Sequence, residues 1–211
     1  CASATACSVS NLNVIWRQAP KVTGRGHYSH RIAFSPDGQY MFVSSGERQK
    51  KNPAQDLSNN LGSVLRLNPD GTVPADNPFA ERGGVSAQIW SYGHRNILGL
   101  AFAPNGNLWE SEMGPKGGDE VNLIKRGKNY GWPNASNGIN YDGSNIPDHK
   151  PGDGYEPPEA FWTPSISPAN LIYYTGSLFP EWQDSLLLGG LSGETLIRLK
   201  VDDQDVSKAD Q

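Results

Sequence analysis

The feature that most constrains this chain is a pattern that occurs twice. Ala33-Phe34-Ser35-Pro36-Asp37-Gly38-Gln39-Tyr40-Met41 and Ala101-Phe102-Ala103-Pro104-Asn105-Gly106-Asn107-Leu108-Trp109 align residue for residue, with Phe34 and Phe102 68 positions apart. Each copy is an apolar run, an x-Pro-Asx-Gly turn and a second run. Proline presets the turn, the Asx side chain bonds the backbone two residues on, and glycine accepts a left-handed conformation, so each copy predicts an antiparallel hairpin. A weaker third copy runs from Leu171-Ile172-Tyr173-Tyr174 through Pro180-Glu181-Trp182 to Ser185–Gly190 and Leu196-Ile197-Arg198-Leu199. Hairpins recurring at long period predict repeated antiparallel sheets: an all-β chain, a β-propeller with about three to four blades present.

Composition agrees with short strands and tight turns. The 24 glycines and 16 prolines are interspersed with aromatic and β-branched clusters rather than gathered into one tract. With 18 basic against 22 acidic residues and a net charge of −4, no basic stripe forms, which excludes nucleic acid as a partner. No apolar run approaches a membrane span. Residues 1–13, with Cys1 and Cys7, form a Ser/Ala/Thr-rich, loop-like start in which a disulfide and free thiols are equally compatible. The chain opens without Met or a leader segment and closes on a polar tail over 201–205, so it is expected to be processed or a piece of a longer polypeptide, with 14–211 a partial propeller.

Further strands are expected at 14–18, 63–67, 89–90 and 98–102, and residues 49–60 are expected to form a long surface loop. Tyr92-Gly93-His94-Arg95-Asn96 interrupts the strand pattern with an imidazole, a fixed cation and an amide in succession. Three such groups cannot all enter a core without partners, so at least one should face a ligand that wants positive charge and donors. By itself, Arg95 is equally a salt bridge between blades. Gly114-Pro115 alone is a turn, Glu120 alone pairs with Lys125 or Arg126 on a surface strand, and Trp132 and Trp162 are expected to pack between blades.

Gly26-His27-Tyr28, Tyr92–Asn96, Glu112-Met113-Gly114-Pro115, Gly118–Ile124 and Asn129-Tyr130-Gly131-Trp132-Pro133 occur in an order that resembles the soluble pyrroloquinoline-quinone-dependent aldose (glucose/sorbosone) dehydrogenases, which are six-bladed β-propellers. The resemblance covers residues 14 to 201. It implies that His27 is the general base for the anomeric hydroxyl while hydride passes to the quinone, and that Arg95, Asn96 and Tyr141 contact that cofactor. It implies that the carbonyls of Gly114 and Pro115 hold an active-site Ca²⁺, and that Glu120 and the Tyr130 carbonyl hold a second one. The residue types suit the chemistry: a neutral imidazole titrates near working pH, a guanidinium keeps its charge beside a reduced quinone, and hard oxygen ligands suit Ca²⁺.

The same resemblance implies an aldose substrate, an external electron acceptor, a periplasmic or secreted location, and leaves a homodimer open. The chain departs from the family at Gly26, where some members carry an acid, at Met113, where Gln is frequent, and at Leu191-Ser192-Gly193, where many place a Lys. A calcium-dependent propeller lactonase and a non-catalytic propeller binding domain are the rival readings; the first would want carboxylates and amides converging on the axis.

Overall fold

A computed structural model of the chain describes residue 8 and residues 10–210; Cys1 and Cys7 lie outside them. Strands β1 (Ser29–Phe34), β2 (Met41–Ser45), β3 (Ser63–Leu67) and β4 (Ile89–Tyr92) form an antiparallel four-stranded sheet in that spatial order. Next come β5 (Ile97–Phe102), β6 (Leu108–Glu112), β7 (Lys116–Gly117), β8 (Asp119–Ile124), β9 (Gly138–Ile139) and β10 (Ala160–Trp162). Of these, β10, β8, β6 and β5 make the second sheet, while β7 and β9 pair as a two-stranded ribbon. The third sheet runs β11 (Pro168–Tyr174), β12 (Ser185–Gly190), β13 (Thr195–Asp202) and β14 (Asp205–Asp210). These three sheets are three blades, and their first strands β1, β5 and β11 lie side by side.

The two strong repeats are the β1–β2 and β5–β6 hairpins. In the first turn Asp37 Oδ1 accepts from the Gln39 N–H at 3.0 Å, and in the second Asn105 Oδ1 accepts from the Asn107 N–H at 3.0 Å, the bonding that the Asx position predicts. Both hairpins, and the β11–β12 hairpin of the third blade, carry an irregular register at the same end of the first strand: between Ser29 and Ile32, between Ile97 and Gly99, and between Pro168 and Leu171. Bulges there bend the inner strands and re-aim the loops that precede them.

Side-chain alternation puts one core layer in each gap between blades. Phe42, Val64, Ile97, Leu100 and Leu108 pack between the first and second sheets, where Phe42 meets Phe102 edge-on at 5.2 Å. Trp109, Val121, Leu171, Leu186, Leu188 and Ile197 pack between the second and third, with Trp162. Trp162 therefore packs between blades as expected.

Three local expectations are corrected. Residues 14–18 form no strand; Trp16 instead caps the outer core of the first sheet, its indole N–H bonded to Gln88 at 3.0 Å. Residues 49–60 are not a simple surface loop, because a 3₁₀ turn at Asn52–Gln55 carries Ala54 inside and Asn59 and Asn60 are buried. Their side-chain amides satisfy neighbouring backbone and polar groups, which polarity alone could not reveal. The polar tail at 201–205 is a tight turn, Asp202 pairing with Asp205, that feeds strand β14.

Candidate active site

A cleft of about 300 Å³ opens where the loop before β1, the end of β2 and the β4–β5 loop converge, and His27, Glu47, Arg95, Pro115, Trp132 and Tyr141 line it. The loop carrying His27 is strung onto the end of β2: the Arg48 N–H donates to the His27 carbonyl at 3.3 Å and the Gly46 N–H to the Tyr28 carbonyl at 3.4 Å. A Cβ on Gly46 would stand 2.0 Å from the His27 carbonyl oxygen, so only glycine permits this approach. His27, Arg48, Gln49 and Lys51 all hold positive φ, 50° to 61°, a strained arrangement on both sides of the cleft wall.

The approach brings His27 Nδ1 onto Glu47 Oε1 in a short hydrogen bond. Glu47 is fully buried and its other oxygen accepts the Lys51 N–H at 2.5 Å. Burial pushes the Glu47 carboxyl up, but the bonds from His27 and the Lys51 N–H outweigh it and hold the group below its usual range. Glu47 is therefore an anion at neutral pH. Facing that anion, Nδ1 of His27 is the donor, so in the neutral ring the lone pair lies on Nε2.

Arg95 is 4 % exposed. Its Nη1 donates to the Met113 carbonyl at 2.8 Å and its Nη2 to the Tyr141 hydroxyl at 3.2 Å, and the guanidinium lies 5.2 Å from the centre of the Trp132 ring. Its buried Nε has no hydrogen-bond partner. The loop is organised by Glu112 at the end of β6: Oε1 pairs with His94 Nδ1 at 3.1 Å, and Oε2 accepts the N–H groups of Arg95 (2.6 Å) and Asn96 (3.1 Å). The fully buried His94 also bonds Ser91 at 2.9 Å and stacks on Tyr130 at 4.5 Å, so it is a satisfied core residue that shapes the loop. Arg95 is the member of the triplet that faces the cleft. Asn96 lies beside it but does not line the cleft; its side-chain oxygen is 3.4 Å from Ser29 Oγ.

Behind the cleft wall, a smaller cavity is lined by Arg95, Glu112, Gly114, Glu120, Tyr130 and Trp132. Gly114 thus borders the inner cavity while Pro115 borders the cleft. A Cβ on Gly114 would lie 2.3 Å from both the Gly117 and Gly118 carbonyl oxygens, so only glycine fits. Glu110, Glu112, Asp119 and Glu120 are all buried here, which overturns the expectation of Glu120 in a surface pair with Lys125 or Arg126. Asp119 is spent on the N–H groups of Gly114, Ile166 and Ser167, at 2.7 to 2.9 Å. Glu110 and Glu120 are pushed well up, chiefly by burial and then by Glu112, against a weaker pull from Asn122. Crowded, desolvated carboxylates of this kind want a cation, and one buried oxygen of Glu110 has no partner. The Tyr130 hydroxyl is occupied, donating to the Leu123 carbonyl at 2.5 Å, so this residue could reach an ion only through its backbone.

The family profile described as Glucose / Sorbosone dehydrogenase matches residues 2–211. The chain belongs to that family. It is 40% identical over 204 residues to the aldose sugar dehydrogenase YliI of Escherichia coli (strain K12), a match covering 95% of this chain and 54% of the relative. The chain thus spans about half the length of that relative. Its fold superposes on the apo form of the soluble aldose sugar dehydrogenase from Escherichia coli with a TM-score of 0.88 at 40% identity, covering 95% of this chain and 58% of the other. A second solved relative is the PQQ-bound form of aldose sugar dehydrogenase from Streptomyces coelicolor, at a TM-score of 0.72 and 34% identity over 89% of this chain and 49% of that one. In this chain the cleft joins His27, Arg95, Pro115 and Tyr141, all expected from sequence, to Glu47, Gln49, Lys51, Trp132, Asn140 and Asp142, which were not. Glu47 left one trace in sequence, a carboxylate that follows the strand-like run over 41–45 after a single glycine.

Proposed function

We propose that this chain carries the base-bearing part of a quinone-dependent sugar dehydrogenase that oxidises the C1 hydroxyl of an aldose to the lactone. The single observation that carries the reading is the His27–Glu47 pair facing Arg95 across one cleft. Pyrroloquinoline quinone fits what is there: a planar, anionic molecule suits a cleft walled by Trp132 and Tyr141 and headed by a buried guanidinium whose Nε is unpaired. When bound, the quinone accepts the hydride from C1.

Each residue then has a task of its own. His27 Nε2 takes the anomeric hydroxyl proton, and Glu47 stabilises the imidazolium that results. Arg95, locked by Met113 and Tyr141, offers a permanent positive charge where negative charge accumulates. Asn96, one residue on, supports the same loop and supplies an amide at its edge. The carbonyls of Gly114 and Pro115 are oxygen donors suited to Ca²⁺, a hard cation, and the Glu120 carboxylate with the Tyr130 carbonyl offers oxygen donors at a second, inner ion position. A periplasmic or secreted location, and transfer of the electrons to an external acceptor, belong to this reading.

The hydrolytic alternative has less to stand on. Glu110, Glu112 and Glu120 are buried within the second blade, and the cleft's own carboxylates are Glu47, committed to His27, and the exposed Asp142. The test is dye reduction by the quinone-loaded protein over a panel of aldoses. Sugar-dependent reduction that His27→Ala lowers by about 10²- to 10⁴-fold, with quinone binding kept, is expected; quinone lost along with turnover would make His27 a binding residue instead.

A further inference from the structure

His149 belongs to no part of this scheme, yet its side chain is 4% exposed and neither ring nitrogen has a hydrogen-bond partner. A buried imidazole without partners carries a desolvation cost that something must offset. Its Nε2 lies 3.9 Å from Glu120 Oε1 and its Nδ1 3.9 Å from Asp153 Oδ2. Its ring also packs on Gly131, where a Cβ would be 3.0 Å from His149 Cε1, so it adjoins the peptide whose carbonyl belongs to Tyr130. A carboxylate oxygen and an imidazole nitrogen 3.9 Å apart can both reach one ion at the usual bond lengths of about 2.0 to 2.4 Å.

We propose that His149 is a third ligand at the Glu120–Tyr130 position and that it turns this inner site from an oxygen-only site for Ca²⁺ into a mixed nitrogen and oxygen site for a divalent transition ion such as Zn²⁺. Ca²⁺ gains little from an imidazole, whereas borderline ions of the Zn²⁺ class bind it strongly. Glu112 borders the same inner cavity and Glu110 is buried nearby, so a dication held there would offset the crowding of these acidic groups. Asp153, only 11% exposed, sits where it can orient the ring through the other nitrogen. The inference rests on the reading of Glu120 and Tyr130 as metal donors, while the Gly114–Pro115 carbonyls keep their preference for Ca²⁺.

The test is calorimetric titration of the chelator-treated protein with Zn²⁺ and with Ca²⁺, in a His27→Ala background that removes the imidazole paired with Glu47 as a competing ligand. Wild-type His149 should bind Zn²⁺ more tightly than Ca²⁺ at the inner site, and His149→Ala should weaken Zn²⁺ at least about tenfold with Ca²⁺ affinity unchanged. His149→Gln, which keeps bulk and offers an oxygen, should return the preference to Ca²⁺. Equal Zn²⁺ affinity in all three proteins would overturn the role of His149. Neither ion binding in a way that Glu120→Gln abolishes would overturn the donor reading beneath it, with His149 then a packed core residue.

Discussion

Among single residues, Glu47 decides what His27 can do. Glu47→Gln keeps the volume but removes the anion that holds the Nδ1 proton, so turnover should fall by roughly 10- to 100-fold while quinone affinity stays, a split that steady-state and binding measurements together would reveal. The same carboxylate sets a pH dependence. Its folded-state pKa is depressed, so its contribution to stability is complete above the ordinary carboxylate value and is lost as pH falls through the lowered one. Thermal unfolding followed from neutral to acid pH should show Tm falling across that window, and Glu47→Gln should flatten that part of the curve. Arg95 was legible because a guanidinium between an imidazole and an amide in a loop between apolar strands needs a partner, whereas His27 was marked only by the order of motifs that resembles the family. Glu47 was not, because its meaning depends on a contact across 20 residues that only the Gly46 approach creates.

At the scale of elements, the turns and strands were the most legible part, since Pro-Asx-Gly and apolar alternation act over a few residues. Residues 14–18 show the limit. Val14-Ile15-Trp16 has strand composition, but β1 pairs on one side with β2, and the segment packs by its Trp16 side chain instead. Between the second and third blades, Leu188 is fully enclosed among Trp109, Leu171 and Ile197. Leu188→Ala should cost about 2 to 5 kcal/mol by leaving a cavity, measurable by urea denaturation. Gly114→Ala tests the wall between cleft and inner cavity. Its methyl group cannot coexist with the Gly117 and Gly118 carbonyls, so the loop must move and calcium-dependent quinone binding should drop, with global unfolding changed far less. Unchanged binding in that variant would remove Gly114 and Pro115 from the donor set.

For the whole molecule, the repeat that predicts a core position in every blade succeeds at Phe102, which packs on Phe42, and fails at Phe34, which is 56% exposed with Ile32 at 58%. The two positions are equivalent in sequence. They differ because β5 lies between two neighbouring first strands, β1 and β11, whereas β1 has β5 alone. Within the described residues there are three blades, and the face of β1 away from β5 meets no other blade's first strand. Phe34→Asp in this chain should therefore change its stability by no more than about 0.5 kcal/mol and lower concentration-dependent association, as light scattering would record. A large loss of stability would mean that this face is covered.

In the proposed function, Arg95, fixed against Trp132 and Tyr141, heads a site for an anionic quinone held with Ca²⁺. The most direct measurement is a spectroscopic titration of the protein with pyrroloquinoline quinone, with and without Ca²⁺, for wild type and Arg95→Leu. Saturable binding that requires Ca²⁺ and that Arg95→Leu weakens by at least about tenfold, the worth of one charge-assisted contact, is expected. Quinone binding that is absent at excess Ca²⁺, or that is indifferent to both Ca²⁺ and Arg95, would contradict it.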